Sequence, residues 1–220
     1  MSKHYFTEAY LHFFMALAPN NHKEWFDQNR SAYQSDVKAP FEAFVTDLIA
    51  ALKQEDDLGA LTASECIFRI NKDVRFSKDK TPYKLQMSAL ITKGGRKQMQ
   101  HAGLYIEIGP EFLSIYSGFY MPEKPQLLSI RQKIASNPAE FAEIIGMKDF
   151  RKSFGEVQGE KSKLLPPDLK AAAQLQPLIY NKQYYLLHKT DAGIILKPGL
   201  LNYVLVHYRA ARPFNRFLSE

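Results

Sequence analysis

Residues 66–76 read CIFRINKDVRF, and apolar and polar side chains alternate along them. The apolar positions are Cys66, Phe68, Ile70, Val74 and Phe76, with Lys72 as the polar exception. The polar positions between them are Arg69, Asn71, Asp73 and Arg75. Alternation with a period of two is typical of a β-strand that has one buried and one open face. The stretch therefore predicts a strand in the middle of the chain, with an ordered Arg–Asn–Asp–Arg face.

The sequence before this stretch has the period of α-helices. Apolar residues recur every three or four positions over residues 7–18 and 22–37, and again after Pro40. Asn21, followed three residues later by Glu24, predicts the N-cap of the second helix. Pro40 suits an early position in the third helix, because its missing N–H has no partner there. The first quarter of the chain is predicted to be helical.

The sequence after the stretch alternates between the two periods. Strands are predicted over residues 85–92, 104–108, 112–116 and 184–188, and helices over 124–135, 139–145 and 199–211, the last ended by Pro213. Helices at the N-terminus, middle and C-terminus, segregated from a mostly antiparallel central sheet, indicate an α+β fold. We expect one domain over residues 1–220, with a helical part (1–55), a sheet-forming core (64–120) and a mixed part (121–220).

The charge of the chain is concentrated around the predicted strand. The chain has 29 basic and 23 acidic residues, a net charge of +6. Residues 69–97 contain nine basic and two acidic side chains, or +7, so the rest sums to 20 minus 21, or −1. One short segment thus carries the whole excess, and we expect any anionic partner to bind there.

The polar face suggests a specific anion site. The guanidinium groups of Arg69 and Arg75 suit two-point pairing with a phosphate or carboxylate, and Asp73 between them would orient the two groups. Lys80 would be a third donor, and Tyr83 or Asp79 a proton-transfer group. The further ligand-binding candidate, from the predicted helix 124–135, is Arg131. These residues predict a binding protein or small enzyme for an anionic small molecule, and whether it catalyses a reaction stays open.

Two other interpretations explain the same residues. The exposed cations could bind nucleic acid: Lys78, Lys80, Lys84, Lys93, Arg96 and Lys97. Alternatively, Arg69, Asp73 and Arg75 could form a cross-strand ion-pair network in a structural or interaction protein.

The central segment also resembles a known family. Its signature is similar to R-x-x-R-D-x-R-F followed by D/N-K-x-x-Y, and the matching residues are Arg69, Asp73, Arg75, Phe76, Asp79, Lys80 and Tyr83. Lys72 stands where that signature has a further arginine. Asn20-Asn21 before Glu24-Trp25-Phe26 resembles the family's N-N-x-x-E-W-F, and Ser117-Gly118 with Arg131 resembles a later pattern. The family is a mainly bacterial domain of unknown function, number 2461, so the resemblance implies membership and no particular reaction.

Other chemistry is poorly represented in the sequence. The six histidines are scattered without the spacing of a metal site, so we expect no zinc site. Cys66 is the single cysteine and lies on the apolar face, which predicts a core residue in a protein of the reducing cytoplasm. No apolar run approaches the ~20 residues that cross a bilayer, so we expect no membrane partner. The sequence names no cofactor.

Overall fold

A computed structural model describes residues 3–98 and 101–219. The α-helices are α1 (Glu8–Leu17), α2 (Lys23–Gln28), α3 (Arg30–Ala32), α4 (Ala39–Leu52), α5 (Ala63–Cys66), α6 (Lys124–Ser136), α7 (Pro138–Gly146), α8 (Lys148–Phe154), α9 (Lys170–Leu175) and α10 (Leu200–Ser219). A π-helix covers Tyr33–Lys38, and 3₁₀ turns cover Ala18–Asn20, Gly95–Lys97, Pro167–Leu169, Pro177–Tyr180 and Ala192–Leu196. The strands are β1 (Met87–Ile91), β2 (Gly103–Ile108), β3 (Phe112–Phe119) and β4 (Tyr184–Asp191).

The four strands form one antiparallel sheet in the order β1-β2-β3-β4, and the α+β prediction is confirmed. Alternation in β2 buries Leu104, Ile106 and Ile108 completely and leaves Tyr105 and Glu107 half-buried. This is the pattern of a strand with one core face and one more open face. β2 therefore presents a tyrosine and a glutamate side by side on the open face.

The prediction of a regular strand over residues 66–76 is wrong. Cys66 ends the helix α5, and only isolated antiparallel bridges follow, Ile67 with Ala89 and Asn71 with Tyr83. The two bridges are four residues apart in the first segment (67 to 71) and six residues apart in its partner (83 to 89). The pairing register therefore shifts between them. A shift of this kind requires extra residues to bulge out of the ladder, which ends regular strand geometry. Residues 67–72 thus pair irregularly, first with β1 and then with residues 82–84.

Two predictions at the ends of helices are also wrong. His22, and not Asn21, caps α2, because its Nδ1 accepts a hydrogen bond from the Trp25 N–H. The last helix continues through Pro213 to Ser219 instead of ending at Ala211. A proline inside a helix costs about 3 kcal/mol. Phe214 and Phe217, both buried, follow the proline, and we attribute the continuation of the helix to their burial.

The predicted helix over residues 22–37 is divided into α2, α3 and the π-helix that leads into α4. Pro40 is the second residue of α4 and cannot donate a backbone hydrogen bond. A π-helix, with its wider turn, is one way in which a continuous helix accommodates an interruption of its hydrogen bonds. The early position predicted for Pro40 is correct.

The chain divides into two compact units. The first contains residues up to Lys97, Tyr105–Ile115 and Lys189–Leu205, and the second contains Gln98–Leu104, Tyr116–His188 and the residues from Val206 onward. The first unit therefore holds the whole of residues 66–84, and the second holds Arg131. The expectation of a single domain stays a prediction.

Candidate functional site

The second half of the basic segment is a loop closed by its own side chains. We call residues 72–81 the Phe76 loop. The Lys72 Nζ donates to Asp79 Oδ2 (2.8 Å) and to Thr81 Oγ1 (2.7 Å). Asp79 Oδ1 also accepts from the Thr81 N–H (2.9 Å) and hydroxyl (2.8 Å). The hydrogen bonds from Lys72 and Thr81 hold the pKa of Asp79 well below its usual range. A carboxylate so stabilised stays ionised at neutral pH and closes the loop.

The central Asp and Arg of the motif pair with each other. Arg75 donates through Nε (2.9 Å) and Nη2 (2.6 Å) to the two oxygens of Asp73. Both side chains are exposed, and the two-point pairing lowers the pKa of Asp73. Lys80 donates its Nζ to the carbonyl of Val74 (2.9 Å). Arg75 and Lys80, which the sequence predicted as anion donors, are therefore already bonded within the loop.

Tyr83 packs into the first unit. Its ring is 5% exposed and stacks on Phe26, with ring centroids 4.1 Å apart. Asn21 holds the backbone of Tyr83 on both sides: its Nδ2 donates to the carbonyl (2.9 Å), and its Oδ1 accepts from the N–H (3.0 Å). Burial, followed by the charge of Asp27, raises the pKa of the Tyr83 hydroxyl. The two motifs Asn20–Phe26 and Arg69–Tyr83 thus meet in one structural contact.

A further group of polar and aromatic side chains centres on Lys84. We call Phe68, Arg69, Lys84, Tyr105 and Glu107 the Lys84 cluster. The Lys84 Nζ lies 5.4 Å from the Phe68 ring centre, and that ring meets Tyr105 edge to face at 6.0 Å. The Tyr105 hydroxyl donates to Glu107 Oε1 (2.6 Å).

Burial and two opposite charges act on Lys84 within the cluster. Partial burial lowers the pKa of Lys84, the charge of Glu107 opposes that shift, and the charge of Arg69 adds to it. Arg69 is exposed, and within residues 3–98 and 101–219 it makes no hydrogen bond or ion pair. Two cations therefore lie within range of mutual repulsion.

Arg131 is placed in the second unit, in quite different surroundings. It lies on α6 and is 7% exposed. Its Nη2 donates to Ser162 Oγ (2.6 Å) and to the carbonyls of Tyr180 (3.4 Å) and Asn181 (3.0 Å), and Nε donates to Asn181 O (3.3 Å). Tyr180 ends a 3₁₀ turn and Asn181 caps it, so the guanidinium binds carbonyls at the C-terminal end of a helical turn.

The structure therefore separates the predicted site residues into different settings. Asp73 and Arg75 form one pair, Asp79 and Lys80 close the Phe76 loop, Tyr83 is part of a packed contact, and Arg131 caps a turn. Arg69 joins Lys84, Tyr105 and Glu107, which the sequence did not single out as site residues. The sequence could have indicated Tyr105 and Glu107, because they alternate with three apolar residues in 103–108 and so share the open face of a strand.

Two other expectations concern metals and membranes. Within the part of the chain that the structure describes, no group of three or more His, Cys, Asp or Glu side chains could hold a metal ion. Cys66 is buried and free, and burial raises the pKa of its thiol to about 12. Among the described residues, no helix has the length and apolar character needed to cross a bilayer.

The chain was also compared with known proteins. A search of curated proteins found no match. The match to a family model covers residues 9–217, which includes the Phe76 loop, the Lys84 cluster and Arg131. The chain belongs to the family described as "Conserved hypothetical protein (DUF2461)".

Proposed function

We propose that the protein binds an anionic small molecule, bearing a phosphate or carboxylate, at the Lys84 cluster. The observation that carries the proposal is the proximity of Arg69 and Lys84, two cations that repel each other and that have no ion pair of their own among the described residues. A bound anion would be attracted by both cations. The negative charge of Glu107 raises the pKa of Lys84 against the effect of burial. The Glu107 carboxylate also accepts a hydrogen bond from the Tyr105 hydroxyl.

The surroundings of Lys84 strengthen such a contact. A charge–charge interaction at a half-buried position is screened less than one in open water. Phe68 and Tyr105 form an aromatic wall beside the amine. Arg69 offers a planar fork for two-point binding, and Lys84 offers a compact point charge. The ligand best suited to this arrangement has an anionic group joined to a flat or apolar part.

The proposal changes the role given to the motif's other residues. Asp73, Arg75, Asp79 and Lys80 keep the Phe76 loop in shape, and Tyr83 anchors its end. Arg69 and Lys84 contact the ligand. The Tyr105–Glu107 hydrogen bond is the pair best placed to exchange a proton with a ligand, should the protein catalyse a reaction.

Thermal-shift measurements with inorganic phosphate, pyrophosphate, nucleotides and sugar phosphates test the proposal. A ligand at about 100 times its Kd stabilises the folded state by about 2.7 kcal/mol. That corresponds to a rise in melting temperature of about 5–10 °C for a protein of this size. We expect Lys84→Met and Arg69→Gln to abolish this rise.

Lys148→Met is the matched control, because Lys148 is exposed and lies in the second unit. The control should retain the full rise. The proposal would be contradicted if no tested phosphate or carboxylate raised the melting temperature. A rise that persists in both Lys84→Met and Arg69→Gln would also contradict it.

We further propose a cytoplasmic location. The single cysteine of the chain, Cys66, is a buried free thiol, and the reducing cytoplasm keeps thiols in that state.

A further inference from the structure

Phe76 is the most exposed large apolar side chain in the described residues, at 95%. The sequence predicted it on the buried face of a strand. It lies instead in the Phe76 loop, between Arg75 and Ser77, which are both exposed. The Arg75 guanidinium lies 5.8 Å from the ring centre, and the side chain is otherwise largely open to water. An aromatic ring held in water in this way is available to a partner.

The loop that carries Phe76 is held by internal hydrogen bonds. The Val74 carbonyl accepts from the Lys80 Nζ (2.9 Å) and from the Ser77 N–H (3.4 Å). At the base, the Lys72 N–H donates to the Pro82 carbonyl (2.8 Å), next to the bond between Lys72 and Asp79. A loop ordered before binding loses less conformational entropy when a partner binds. The ring is thus presented on a preorganised support.

The charge around the ring selects an anionic partner. The loop contains the cations Lys72, Arg75, Lys78 and Lys80 and the acids Asp73 and Asp79, so four minus two gives +2. Lys78 is exposed, and the described residues provide it with no hydrogen bond or ion pair. An exposed ring among cations can stack on a base while the cations contact the adjacent phosphates.

We propose that the Phe76 loop is a contact site for single-stranded nucleic acid. A base can stack on Phe76 only when it is not enclosed in a duplex, which favours single strands over double strands. A lipid surface fits less well, because membrane binding scales with buried apolar area and the loop offers one ring. Val74 and Pro82, the apolar residues nearest in sequence, are half-buried. This inference is independent of the proposed function, since neither Phe76 nor Lys78 belongs to the Lys84 cluster.

The test uses the full chain and a fluorescein-labelled oligothymidine of about 12 nucleotides, a length within the range of known single-strand sites. Fluorescence anisotropy at about 50 mM salt should detect binding, and about two phosphate contacts should give a slope of log K against log salt near −1.4. Phe76→Ser should weaken binding by about tenfold, and Lys78→Ala should reduce the slope by about 0.7. Phe76→Trp should bind at least as tightly, and its fluorescence should fall as a base stacks on it.

Leu164→Ser is the matched control, because Leu164 is 83% exposed but lies in the second unit. It should leave the affinity unchanged. Absence of binding, affinity that Phe76→Ser does not reduce, or equal affinity for a duplex of the same length would each overturn the proposal. Phe76-dependent binding to phosphatidylserine vesicles without binding to the oligonucleotide would also overturn it, in favour of a lipid surface. Binding that Lys84→Met abolishes and Phe76→Ser spares would assign the oligonucleotide to the Lys84 cluster instead.

Discussion

Arg69 and Arg131 carry the same guanidinium group in two opposite settings. Arg131 is buried in the second unit and donates to one hydroxyl and two carbonyls. Arg69 is exposed in the first unit, where it makes no hydrogen bond or ion pair within the described residues and lies in range of another cation, Lys84. The sequence assigned both to one ligand site.

The difference lies in where the hydrogen-bond donors of each arginine are used. Donors that bind the chain's own buried carbonyls contribute to stability, because removing them leaves those carbonyls without partners. A cation without such bonds contributes little to stability and keeps its donors for a ligand. We therefore expect substitutions in the two regions to affect different measurements, melting temperature for Arg131 and ligand affinity for Arg69 and Lys84.

The largest effect is expected for Arg131→Met. The change would leave the carbonyl of Asn181 and the hydroxyl of Ser162 without the Arg131 donor, whereas the carbonyl of Tyr180 keeps the N–H of Ser162. Buried polar groups left without a partner cost about 1–3 kcal/mol each, so we expect a loss of about 3 kcal/mol in unfolding free energy. The melting temperature should fall by about 6–12 °C, measured by calorimetry. Lys124→Met, an exposed cation on the same helix, should change it little. An unchanged melting temperature together with lost phosphate binding would return Arg131 to a ligand site.

A smaller loss of stability is expected for Asn21→Ala. The change removes both hydrogen bonds that hold the backbone of Tyr83. Each is worth about 0.5–1.5 kcal/mol, so unfolding free energy should fall by about 1–2 kcal/mol in a urea titration. Asn20→Ala is a matched control, because the neighbouring amide donates only to the exposed carbonyl of Ala16. Equal effects of the two changes would show that the contact between the two motifs does not stabilise the first unit.

Anion binding at the Lys84 cluster should depend on pH through the protonation of the Lys84 amine. The pKa of Lys84 is lowered from 10.5, chiefly by burial, so its amine loses the proton at a lower pH than an ordinary lysine. Anion affinity needs the protonated amine, so it should fall as pH rises through the lowered pKa, beginning below pH 10.5. Phosphate titrations by calorimetry over alkaline pH measure this.

Lys84→Arg supplies the comparison, because arginine keeps its charge throughout that range. Its affinity should stay flat where that of the wild-type protein declines. Parallel declines in the two proteins would place the titrating group elsewhere.

The smallest effect is expected for Arg75→Gln. Arg75 and Asp73 form an exposed pair, and such pairs contribute little to stability. The melting temperature should stay within about 1 °C of the wild-type value. Phosphate affinity should change by less than about threefold, because Arg75 is already paired with Asp73. A loss of affinity as large as that of Arg69→Gln would restore the predicted pocket in which Arg69 and Arg75 bind the anion together.

Much of the fold could be predicted because it follows from local periodicity. The strands Met87–Ile91 and Gly103–Ile108 and the helix Lys124–Ser136 lie within a few residues of their predicted bounds. The predicted strand over residues 66–76 failed because the pairing register shifts between Ile67 and Asn71, which depends on the partner segment. The end predicted at Pro213 failed because burial of Phe214 and Phe217 lies outside any local rule.

The candidate site was harder to predict than the fold. The charge count pointed to the segment that contains Arg69 and Lys84, and Arg69, Asn71 and Asp73 are exposed there. Phe76, which alternation placed on the opposite face, is exposed as well. Composition could not tell a paired cation from an unpaired one. Lys72 and Arg75 form ion pairs inside the segment, whereas Lys84 lies beside Phe68 and is influenced by Glu107, a residue of β2. The conformation of the segment decided which cations pair with an acid inside it, and contact with β2 decided the surroundings of Lys84.

The sequence by itself determined the α+β class, the helical first quarter, the burial of Cys66 and the segment that holds the charge excess. Each follows from side-chain type and spacing, which act over a few neighbouring residues. Tertiary structure alone decided that Arg131 stabilises a turn, that Tyr83 is fixed by Asn21 and Phe26, and that Phe76 faces water. These outcomes depend on which distant groups satisfy a hydrogen bond or cover a ring, and only the folded chain brings those groups together.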